Sequence, residues 1–76
     1  MHIGTKLPNG ARVVALYSEG KEVVVLCEAP DSPWHPHVTW NVTPTGEAFW
    51  GHYFDNEMEA REDFYARCKR LRQRAA

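Results

Sequence analysis

Apolar and polar positions along this 76-residue chain keep a strand period over two stretches and then switch to a helical one. Residues 12–17 (RVVALY) and 22–28 (EVVVLCE) are short β-branched runs on either side of Ser18-Glu19-Gly20-Lys21. That pattern predicts a hairpin with Gly20 in its turn. Both runs are apolar on both faces, so alternation does not choose a side; such strands sit centrally or are covered twice. Residues 37–54 predict a second hairpin. Its turn is Thr43-Pro44-Thr45-Gly46, with Pro44 in the first turn position and Gly46 in the left-handed position that closes a three-residue loop. The loop sets Thr43 opposite Glu47. Strict pairing then puts Val42/Ala48, Trp40/Trp50 and Val38/His52 on one face. Asn41/Phe49, Thr39/Gly51 and His37/Tyr53 fall on the other. Beyond residue 54 the period lengthens. Asn56 reads as an N-cap with Glu59 at N3, a capping-box variant. Ala60, Phe64, Cys68 and Leu71 form one apolar stripe at helical spacing. This stripe is expected to pack on the Val38/Trp40/Val42/Ala48/Trp50 face.

The remaining segments are connections. Residues 1–10 are a lead-in ending in the turn signal Pro8-Asn9-Gly10, and the alternation of Ile3, Thr5 and Leu7 allows a short extra N-terminal strand. Residues 29–36 hold three prolines and Trp34, which predicts a rigid loop. The expected fold is therefore α+β: a four-stranded antiparallel sheet in ββββα order, with one C-terminal amphipathic helix on one face. A single domain spans residues 1–76, with the lead-in at 1–10, the sheet at 11–54 and the helix at 56–73.

Length changes this picture by making the core small. Domains of this size are often completed by a second subunit, so a homodimer is expected. The net charge of −1 argues against wholesale electrostatic adhesion to nucleic acid or membrane. Its distribution is uneven. Residues 1–54 carry −2, residues 55–63 carry −4 and residues 64–76 carry +5. The segment MHIGTKLPNG has neither the basic nor the apolar region of a signal peptide, and no apolar run approaches the ~18 residues of a membrane span. A cytoplasmic protein with reduced Cys27 and Cys68, and no membrane contact, is the expectation.

Candidate chemistry is sparse. His35, His37, His52 and Cys27 could approach one another, but their spacing matches no zinc pattern, so no metal and no other cofactor is expected. Cys68 lies on the apolar stripe and Cys27 inside a strand, where neither reads as an activated nucleophile. The chain is read as a non-enzyme with no catalytic residue. The acids of residues 55–63 complement the helix dipole. Two groups are left for binding. Phe49, Tyr53, His37 and Trp34 would form a protein-interaction surface, through which the chain associates with itself or with another protein. Arg67, Lys69, Arg70, Arg72 and Arg74 would instead grip nucleic acid phosphates.

Trp50-Gly-His-Tyr-Phe54, followed by a helix with Ala60-x-x-Asp63-Phe64, resembles a group of small bacterial, phage and mobile-element proteins. The lead LPNGARVVAL and His37-Val-Thr-Trp40 fit the same group. The resemblance covers over half the chain and implies a genomic setting, that of an accessory gene, but no activity. The ββββα order is also similar to the single-stranded nucleic-acid-binding repeats of the PUR type, which pair into dimers. The expected function is a self-associating protein-interaction module that uses the sheet face or edge, with a nucleic-acid-binding accessory protein as the alternative.

Overall fold

A computed structural model of the chain describes residues 2–7, 10–29 and 35–75. Trp34 and the Pro8-Asn9 part of the lead-in turn lie outside the described residues. Four strands, β1 (Arg12–Glu19), β2 (Glu22–Glu28), β3 (His37–Val42) and β4 (Ala48–Phe54), precede one helix, α1 (Glu57–Ala75). The strands form one antiparallel meander in the order β1-β2-β3-β4. This is the expected ββββα arrangement. Among the described residues no helix is long and apolar enough to cross a membrane.

Local chemistry accounts for the ends of these elements. Gly20 turns the first hairpin at φ 61, leaving Glu19 opposite Glu22. In the second, Gly46 takes φ 91 and donates to the Thr43 carbonyl at 2.9 Å, while Thr43 and Glu47 close the loop. The Thr43 hydroxyl also accepts from the Glu47 amide at 3.0 Å. The lead-in runs beside the start of β1, with Leu7 N–H donating to the Ala11 carbonyl at 2.7 Å. The extra N-terminal strand reduces to a single bridge, Lys6 to Arg12. The Asn56 side chain caps α1 by accepting from the Met58 amide at 2.7 Å. Asn56→Ala should therefore cost about 1 kcal/mol in a urea titration; an unchanged midpoint would refute the cap.

Two expectations fail, and both concern faces. The helix does not lie on the Val38/Trp40/Val42 side. Its stripe of Ala60, Phe64 and Leu71, with half-buried Cys68, packs with Val24, Leu26 and Phe54. Val38, Trp40 and Val42 instead join Ala11, Val13, Val25 and Cys27 on the opposite side, flanked by Leu7 of the lead-in. The β2 run offers apolar residues to both sides, so polar pairing decides. Asp63 and Arg67 flank the helical stripe and need partners, which Thr39 and Asn41 supply. On the other face these charges would meet mainly the aliphatic and indole side chains of the second core cluster, an expensive burial.

The second failure is register. Val42 faces Ala48 and Asn41 faces Phe49 as expected, but the pairing then slips. Thr39 meets His52, Val38 meets Tyr53 and His37 meets Phe54. One additional residue of β4 sits opposite Trp40, a β-bulge that turns every later side chain to the other face. Trp50 absorbs it at φ 54, in the left-handed region. The indole of Trp40 lies against Gly51, where a Cβ would come within 2.2 Å of its Nε1. The slip carries Phe54 into the helix-side core and His52 to Asp63.

Candidate anion-binding groove

Beside its apolar stripe α1 carries a second one: Asp63, Arg67, Arg70 and Arg74, at spacings that keep them on one flank. This flank overhangs Asn41 of β3 and Trp50 and His52 of β4. Between them is a cavity of about 560 Å³, lined by Asn41, Trp50, His52, Arg67, Arg70, Gln73 and Arg74. A smaller one of about 200 Å³ adjoins it, shares Asn41, Trp50 and Arg74, and extends to Phe49 and the Thr43-Pro44 turn. Phe49 and Trp50 stand ring to ring at 4.9 Å, inclined by 64°.

The floor of the groove is a rigid polar network. Arg67, only 5% exposed, donates from its guanidinium Nε to Asp63 at 2.9 Å. Its other two nitrogens donate to the Asn41 side chain and to the Trp50 carbonyl. The last bond satisfies the backbone at the bulge. Asp63 also accepts from the Thr39 hydroxyl at 2.5 Å and faces His52 Nδ1 at 3.1 Å. Burial pushes the Asp63 carboxyl up, but hydrogen bonds from Thr39, Arg67 and His52, with the Arg67 charge, outweigh it. The net effect holds Asp63 below the ordinary carboxylate range.

The walls are more open. Arg74 reaches across to Glu22 at 2.7 Å. Arg70 has no hydrogen-bond or ion-pair partner among the described residues. Trp50 is 70% exposed. Glu57 and Glu59 sit in the first helical turn, at least 11 residues and so about 16 Å along the axis from Arg70. The acids nearest the groove are Asp63, paired with Arg67, and Glu22, paired with Arg74, so Arg70 is the groove cation left without a counter-charge among the described residues.

The residues singled out from sequence separate in space. Arg70 and Arg74 line the groove, while Lys69 and Arg72 are exposed elsewhere on the helix. Arg72 lies where its charge acts on Tyr17 and Cys68. Arg67 is a buried strut whose hydrogen bonds are taken by the fold. Phe49 and Tyr53 do not share a face. Phe49 lies on the helix side, and Tyr53 lies across the sheet with its ring edge-on to Trp40 at 6.2 Å. His37 is half-buried, 4.0 Å from Glu28.

The histidines do not converge. His35 pairs with Asp55 at 2.8 Å and His52 with Asp63, and no cluster of metal-ligating side chains occurs among the described residues. Burial pushes the Cys27 thiol up to about 11, which keeps it protonated at neutral pH.

Of the groove residues, sequence reasoning missed Gln73 and assigned Trp50 to the core; it weighed His52 as a metal ligand and Asn41 as the partner of Phe49. A signal for Trp50 was present. A glycine inside a strand marks a bulge or a close backbone approach, and Gly51 follows Trp50 directly. No protein-family model, curated protein or solved structure matches this chain.

Proposed function

We propose that the chain is a small non-catalytic binding module that holds single-stranded nucleic acid in the groove between α1 and β4. Trp50 serves as the stacking surface, and Arg70 and Arg74 as the phosphate contacts. The observation that carries this reading is an exposed indole, held in a left-handed backbone conformation beside an unpaired guanidinium. A non-glycine residue in that region costs about 1–3 kcal/mol, and such strain persists where the surroundings over-determine it. Here Arg67 grips the carbonyl of the strained residue itself. Aromatic platforms and arginines along a groove are how unpaired bases and their backbone are bound. Stacking requires a base freed from a duplex, so single strands are preferred.

Self-association through β4 is the competing reading. Exposed Trp50 and Tyr53 favour it. The bulge weighs against it, because an interrupted ladder twists an edge strand away from further pairing.

A short labelled oligothymidylate, titrated at low and moderate salt, tests the proposal alongside a duplex of equal length. The single strand should bind more tightly, with affinity falling as salt rises. Arg70→Gln should weaken binding and lower the salt slope by about one. Trp50→Ala should weaken it about tenfold or more, the stacking contribution of one base. Absence of binding at low salt, or Trp50→Ala binding like the parent, would remove this reading. A concentration-dependent dimer in sedimentation that Trp50→Ala abolishes would put self-association in its place.

A further inference from the structure

His52 lines the groove with its two ring nitrogens in different situations. Nδ1 lies 3.1 Å from Asp63 Oδ1. Nε2, on the far side of the ring, has no partner among the described residues, and His52 is half-exposed where it lines the cavity with Arg70 and Arg74. Asp63 is an ionised carboxylate, able only to accept, so Nδ1 must carry a proton. In the neutral ring Nε2 is then a bare acceptor. Phosphate oxygens are acceptors too, and the two repel. Only the imidazolium presents an N–H on the groove side.

We propose that His52 is the phosphate-selecting residue of this groove, held by Asp63 and binding a phosphate oxygen through Nε2–H as the imidazolium, so that occupancy takes up one proton. This rests on the groove reading above and adds its chemistry. The surroundings of the ring support the charged form in the occupied state. Asp63 favours it and the ligand's own charge favours it. Arg67, behind Asp63, opposes it, as do Arg70 and Arg74 until a phosphate lies between them and the ring. From β3 the uncharged Thr39 and Asn41 face this region, and from β4 the uncharged Trp50 and Phe54, the latter's ring 6.4 Å from that of His52. A phosphate seated between the ring and these arginines supplies the acceptor that Nε2–H needs and so adds to the hold on the imidazolium. The linkage is reciprocal: a ligand that draws a proton in must bind more tightly as the proton becomes more available.

The test measures oligothymidylate affinity by fluorescence anisotropy at pH 5.5, 6.5 and 7.5, at constant ionic strength. Parent, His52→Gln and His52→Asn are compared. Gln keeps a neutral donor near Nε2. Asn keeps an N–H near the Nδ1 position for Asp63, offers nothing at Nε2, and so protects the network from being the cause of any change. For the parent, affinity should fall with rising pH across the histidine range, approaching about tenfold per unit where one proton is linked. Both variants should lose most of that slope while Arg70→Gln, weaker throughout, retains it. A slope that persists in both His52 variants overturns the proposal. Affinity that rises with pH also overturns it, because the neutral ring would then be accepting a donor from the ligand. Absence of parent binding at every pH would instead remove the groove reading itself. Binding without a pH slope would leave that reading standing and remove only this inference.

Discussion

Gly51→Ala is expected to lower the melting temperature by roughly 12–24 °C. Gly51 does not owe its place to backbone freedom, since its φ is not positive. It owes it to space. The added Cβ would lie 2.2 Å from Trp40 Nε1 and 2.7 Å from Cδ1, inside any permitted contact. The obstacle is a rigid ring, itself packed among Val25, Val38 and Val42, so no flexible chain end can swing aside. Overpacking usually costs about 1–3 kcal/mol. With a core indole that must move bodily, the upper end of that range applies. About 3 kcal/mol corresponds to the stated shift for a domain of this size. Thermal unfolding followed by circular dichroism reads it directly. Trp40→Phe should recover part of the loss in the Gly51→Ala background, because the two changes share one contact. A melting temperature within about 3 °C of the parent would mean that Trp40 does not lie over Gly51 and that the bulge is misplaced.

Asp63→Ala is the second large effect, by a different mechanism. It leaves the Arg67 guanidinium almost wholly buried with no counter-charge, and it strips Thr39 and His52 of their acceptor. Removing one partner of a buried ion pair costs about 3–5 kcal/mol. The lower end applies because 18% of the Asp63 side chain stays exposed. A 76-residue domain has only about 4–11 kcal/mol to lose at 0.05–0.15 kcal/mol per residue. The urea midpoint of the variant should therefore fall by about a quarter or more. Its pH dependence carries a sign. The folded state holds Asp63 below the ordinary carboxylate range. Its stabilisation is thus complete above the unfolded value and fades as pH falls through the lowered folded one. Asp63→Asn should be less stable than the parent at pH 7, and the gap should narrow in acid. A gap constant from pH 7 down to pH 2 would show that the carboxylate's charge contributes nothing.

Both predictions concern the two decisions that alternation along the chain misjudged. The turns at Gly20 and Gly46 and the Asn56 cap were legible because each is settled within a few neighbouring residues. The helical stripe of Ala60, Phe64, Cys68 and Leu71 was legible for the same reason: one period of one element. Faces are different. The β2 run presents valines to both sides, so nothing local says which side the helix covers. Thr39 with Asp63 and Asn41 with Arg67 make that choice, across 24 and 26 residues.

The same distance in sequence hid the groove. Arg67 looked like any other cation of a basic tail until its partners on β3 and β4 were in place. Trp50 looked like half of a cross-strand core pair. His52 and Asp63 are eleven residues apart and meet only because the bulge turns His52 over.

By itself, then, the sequence determined the order of the elements, their turns and cap, and the segregation of acid and base along α1. All of these rest on backbone preferences and charges that act over a turn or two. The tertiary structure alone decided which face the helix takes, where the ladder slips and which of five basic side chains opens on a groove. Those outcomes depend on satisfying buried charge and on the volume of a single indole, and neither has a value until distant residues are brought together.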